Sequence, residues 1–94
     1  MENSACYAVD PEVTFQKLGE ETVLVNLTTG KIHHTNDTGS RVWELLKEGR
    51  SVGEILELLE KEFEASREAL QSDVTAFVEL LTQESMIRLL ESDE

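Results

Sequence analysis

"TTGKIHHTNDTGSRVWELL", residues 28 to 46, decides how the rest of the chain reads. Thr28, Thr29 and Gly30 suit a short hairpin loop in which Gly30 takes positive φ. Lys31 to Thr35 then continue as a strand. At "NDTG" the rhythm changes. Val42, Leu45 and Leu46, with Trp43 on the flank, are spaced as the apolar stripe of a helix. Asn36 and Asp37 are both able to accept hydrogen bonds from the first free amides of that helix, so either suits the N-cap.

Upstream, "EVTFQKLGEETVLVNLTTGKIHHT" reads as extended chain with frequent β-branched residues. Gly19, Glu20 and Glu21 break a first strand from a second, in which Val23, Val25 and Leu27 alternate with Leu24 and Asn26. Three strands thus form a meander that ends at Thr35. Residues 1 to 11, up to Pro11, are read as a lead-in.

Downstream, Gly49 ends the first helix. Ser51 and Glu54 spell S-x-x-E, a capping box that opens a second. Its stripe is Ile55, Leu58, Leu59 and Phe63. Ser66 suits the N-cap of a third helix, where Leu70, Val74, Phe77, Val78 and Leu81 fall at i, i+4, i+7, i+8 and i+11. "SMIRLLE" follows as a strand or turn packed back on the sheet. The predicted fold is α+β and winged helix-turn-helix-like: a three-strand antiparallel sheet followed by three helices.

The bulk numbers bound the function. Ninety-four residues with 39% hydrophobic content make one domain with a single core and no room for a deep enclosed cavity. A lone cysteine, Cys6, forms no internal disulfide. There is no signal-peptide pattern and no apolar run of membrane-spanning length, so the expected address is the cytoplasm. Twenty acidic residues against eight basic give a net charge of −12. The first fifty residues carry eight acids and five bases, the remainder twelve acids and three bases. Such a surface repels nucleic acid and anionic membrane and favours neutral or basic partners.

Candidate chemistry is sparse. Adjacent strand residues point to opposite faces, so His33 and His34 cannot chelate one metal together, and no set of ligands completes a site. No nucleophile, base and orienting carboxylate recur at a catalytic spacing. The glycines follow no phosphate-cradling pattern; Gly39, in a helix's first turn, either lets a neighbour approach closely or is a glycine tolerated near a helix start, and the two readings weigh equally. The glutamates of the second helix read as a solvated face. A winged helix raises the question of DNA, but the second helix offers Lys61 among glutamates and the third offers Arg67 at its start. Too few cations face any phosphate. What remains is backbone. The third strand lies at a sheet edge with unpaired N–H and C=O groups, which suit addition of an extended peptide beside an apolar helix. Physics alone leaves that reading level with an edge blunted by Lys31.

The stretch "VLVNLTTGKIHHTNDTGSRVWELLKEGRSVGEI", followed by "DVTAFVELLTQESMI", resembles the PqqD-like family, peptide-recognition domains of the biosynthesis of RiPPs (ribosomally made, modified peptides). The family pattern runs as a hydrophobic strand, a T-G hairpin, an aromatic strand, an L-N-x-T-G helix start, a W-x-L-L helix, a T-V-x-E-I helix start and a D-V-x-x-F-L helix. The resemblance covers roughly residues 12 to 90. It implies a three-strand sheet followed by three helices and a function without catalysis or cofactor. The leader segment of a precursor peptide is captured as an added strand and presented to a modifying enzyme, such as a radical S-adenosylmethionine maturase or a leader peptidase. Carried over by position, the docking edge is Lys31, Ile32, His33, His34 and Thr35, and the groove wall is drawn from Asp73, Val74, Phe77, Val78 and Leu81. The chain departs from the family at Ile32 and His33, where aromatics are frequent, at Thr35, where leucine is usual, and at Glu84 to Ile87, where a glycine is usual. The alternative is a winged-helix protein–protein adaptor with no part in peptide maturation. Free sheet edges also allow self-pairing into a homodimer.

Overall fold

The computed structural model describes residues 4–19 and 21–90. Residues 1–3 of the lead-in, Glu20 of the first turn and Glu91 of the tail lie outside the described residues. Eight elements follow in chain order: β1 (Tyr7–Val9), β2 (Val13–Leu18), β3 (Glu21–Asn26), β4 (Ile32–Thr35), α1 (Asp37–Lys47), α2 (Val52–Glu62), α3 (Arg67–Gln83) and β5 (Ile87–Leu89). The expected meander is present as an antiparallel sheet of order β2-β3-β4. Its register runs Val13↔Asn26 to Leu18↔Glu21 on one side of β3 and Thr22↔Thr35 to Val25↔Ile32 on the other. The sheet is amphipathic: Thr22, Leu24 and Asn26 are buried towards the helices, while Val23 and Val25 are half-buried on the opposite face.

The β3–β4 hairpin is organised by Asn26, 1% exposed. Its Oδ1 accepts from the amides of Thr28 (2.9 Å) and Thr29 (3.2 Å), and its Nδ2 donates to the Ser85 carbonyl at 3.2 Å. Gly30 takes φ +79°, as the turn requires. One side chain therefore shapes the loop and ties it to the end of α3.

Asn36, rather than Asp37, caps α1, its Oδ1 accepting from the Gly39 amide at 3.0 Å. Gly39 is required by packing, since a Cβ there would overlap Thr35 Oγ1. The helix start thus sits directly on the end of β4. Thr22 Oγ1 donates to Ser40 Oγ at 2.6 Å, joining β3 to α1 inside the core. The capping box of α2 forms as expected, with Ser51 Oγ accepting from Glu54 N and Glu54 returning a carboxylate to Ser51 N. Ser66 caps α3. Its core stripe is Leu70, Val74, Val78 and Leu81; that of α2 is Ile55, Leu56 and Leu59, with Leu58 half-buried. Trp43, at 1% exposure, belongs to the core.

The two ends of the chain differ from expectation. The lead-in contains a strand, and the apolar tail pairs with it rather than with the meander: Tyr7↔Leu89, Ala8↔Arg88 and Val9↔Ile87 form a separate two-stranded sheet. Bonds from Asp10 N to Met86 O and from Leu90 N to Cys6 O close the ladder, both at 2.9 Å. Buried Tyr7, Met86 and Ile87 anchor it to the same hydrophobic cluster that all three helices and β3 share. Among the described residues no helix is long and apolar enough to cross a membrane.

Candidate functional site

The β4 strand is the free edge that the sequence suggests, and the ladder settles which of its backbone groups are free. Asn26 N donates to Lys31 O at 2.9 Å. Residues of an antiparallel strand alternate between hydrogen-bonded and non-bonded pairs. The Lys31 carbonyl and the backbone groups of His33 and Thr35 therefore face β3, the Lys31 amide donating instead to Thr29 Oγ1 at 3.2 Å, and Ile32 and His34 turn theirs outward. The two sets also divide the side chains between the faces of the sheet.

On the inner face, Lys31 Nζ meets Glu84 Oε2 at 3.1 Å, at the C-cap of α3. The His33 ring lies 5.8 Å from the Phe77 ring, tilted by 35°. Thr35 packs against Gly39. These contacts run along α3 from its C-terminal end towards its middle, and they leave a cavity of about 260 Å³ beyond Thr35. Val42, Val74, Ala76 and Phe77 give that cavity an apolar lining, with Asp73 as its charged member. On the outer face, Ile32 is 62% exposed and His34 Nδ1 lies 3.5 Å from Glu21 Oε1. The two histidines thus occupy opposite faces with different partners, and among the described residues no three His, Cys, Asp or Glu side chains gather as a metal site.

The structure divides the predicted groove wall. Asp73 and Phe77 face the groove, and Val74 is buried but lines the floor of its cavity. Val78 and Leu81, 1% and 0% exposed, point into the core and offer no surface. They lie one and four residues past Phe77, rotated by about 100° per residue onto the core stripe. Sequence reasoning missed Val42, Ala76 and Glu84 as groove residues. Ala76 and Glu84 fall on the Asp73–Phe77 stripe, Glu84 eleven residues after Asp73, and that spacing was the available signal, whereas the spacing of Val42 marks only a core stripe.

The PqqD family model, coenzyme PQQ synthesis protein D, matches residues 21–87, so the chain belongs to the PqqD family. Its fold is similar to those of two proteins solved with leader peptides. TbiB1 in complex with the TbiA(beta) leader peptide is 27% identical, with 92% of this chain and 99% of that chain covered and a TM-score of 0.78. Lasso peptide synthetase B1 complexed with the leader peptide is 24% identical, with 87% and 96% covered and a TM-score of 0.76, a likeness of fold. No curated protein matches the chain in sequence.

Proposed function

We propose that this protein is a non-catalytic peptide chaperone of the cytoplasm. It captures the leader segment of a ribosomally made precursor as a strand added to β4, and presents the peptide to a modifying enzyme such as a radical S-adenosylmethionine maturase or a leader peptidase. The observation that carries this reading is a free β4 edge beside an apolar cavity, in a member of a family whose fold neighbours were solved holding leader peptides. Outward groups of Ile32 and His34 supply backbone hydrogen bonds and fix register. Peptide residues bonded to them project onto the outer face. Those opposite His33 and Thr35 project onto the inner face, and the one beside Thr35 reaches the cavity between Val42, Val74 and Phe77. Ordering a disordered leader offsets part of the contact energy, so micromolar affinity, about −8 kcal/mol, is expected.

An amide NMR titration with the leader of a precursor encoded beside this gene tests the assignment. Saturable shifts at residues 32 to 35, Asp73, Ala76 and Phe77 are the expected result. Absence of shifts at high micromolar peptide would leave an adaptor that shares the fold but not the task.

A further inference from the structure

The meander has two edges, and leader capture uses one. At β2, Leu27 N donates to Glu12 O at 2.9 Å, so Thr14, Gln16 and Leu18 are the residues hydrogen-bonded to β3. Phe15 and Lys17 turn their N–H and C=O groups outward, while the Val13 amide is already bonded to Asp10 O at 3.1 Å. The side chains of Phe15 and Lys17 lie on the inner face, beside α1. Two cavities follow this edge and share Trp43 and Lys47. One, of about 340 Å³, includes Pro11 and Val13; the other, of about 360 Å³, includes Phe15.

The local charge, which is uneven, says what such a groove takes. Of the two glutamates that line the Phe15 cavity, Glu48 is held by Arg50 at 3.2 Å, and Glu44 shares Arg41, at 3.3 Å, with Glu62, which holds it at 2.9 Å. Lys47 Nζ lies 6.0 Å from the centre of the Phe15 ring, and Lys17 follows two residues along the same face. Among the described residues neither lysine has an ion-pair partner. The Asp10 carboxylate stands at the opposite, Pro11 end, its Oδ1 accepting from Glu12 N at 2.8 Å.

We propose that the β2 edge is a second strand-docking groove, for an extended segment of a partner protein that carries an apolar residue and, on the same face, Asp or Glu. An added strand bonded to Phe15 and Lys17 directs the side chains of its bonded residues onto the inner face, two residues apart. The apolar side chain enters beside Val13 and Trp43, and the carboxylate meets Lys17 and Lys47. The groove offers the chaperone a grip on a second protein while β4 is occupied, but its chemistry stands without the leader assignment. The competing account is that the two lysines only guard an edge against self-association.

The test uses the full chain and two nonapeptides. In one, threonine alternates with valine and glutamate in turn; in the other, lysine replaces glutamate. Trp43 is the sole tryptophan, so its indole N–H gives one resolved NMR signal. The glutamate peptide is expected to move that signal and the amides of Phe15 and Lys17 saturably, and the lysine peptide to leave them in place. The doubly substituted Lys17→Glu, Lys47→Glu chain should bind the glutamate peptide about tenfold more weakly. An indole signal unmoved at millimolar peptide, an equal response to both peptides, or shifts confined to Ile32 and His34 would overturn the proposal and leave the lysines as guards.

Discussion

Single residues on β4 separate folding from capture. The His33 amide faces β3, opposite Leu24, whereas the His34 amide faces outward. His33→Pro should therefore remove an internal ladder bond and destabilise the fold by about 2 kcal/mol or more. His34→Pro should leave urea unfolding nearly unchanged yet weaken leader binding, measured by titration calorimetry. Equal unfolding midpoints for the two variants would contradict the assigned register. Ser85 poses a different case. It holds φ +60° after α3, a conformation that costs a side-chain-bearing residue about 1 kcal/mol. The bonds it makes are backbone ones, from its N–H to Thr82 O at 3.1 Å and from Asn26 to its carbonyl. Ser85→Gly keeps both and should stabilise the chain by about 1 kcal/mol in a denaturant titration.

Among the elements, those with local signals were readable from the sequence. The capping box at Ser51 and Glu54 and the change of period at Asn36 are each written within a few residues, and the helices begin there. The β1–β5 ribbon has no such signal. Three residues are too few to display a period, and the pairing joins Tyr7 to Leu89 across almost the whole chain. The α3 groove was legible only in part, because hydrophobicity marks a stripe without saying which side meets core and which meets a ligand. Phe77 and Val78 are equally apolar, yet the first is half-buried and the second fully buried. The ribbon has its own testable consequence. Burial, with the Glu79 charge as a lesser cause, raises the Tyr7 phenol above its ordinary pKa of 10.0. The folded state therefore holds the proton more tightly than the unfolded one. Stability from this group is fully present below pH 10 and falls as pH rises through the raised folded pKa. Tyr7→Phe should flatten that alkaline loss in pH-dependent unfolding, and an unchanged alkaline limb would refute the cause.

On the scale of the molecule, one polar side chain joins the hairpin to the end of α3. Asn26→Ala would leave two loop amides and the Ser85 carbonyl without their partner, costing about 2 kcal/mol by thermal unfolding. It should also weaken capture beyond what stability alone explains, since the same link sets the separation of β4 from α3. That link and the Lys31–Glu84 ion pair both lie at one end of the groove, and the cavity beside Asp73 lies at the other. The site is built like a clothes-peg, sprung at the hairpin and open at the jaws. A chain that enters from the jaws meets the wide mouth first and the tie last. The leader would then seat in a fixed order, with the residue beside Thr35 arriving before the one beside Lys31.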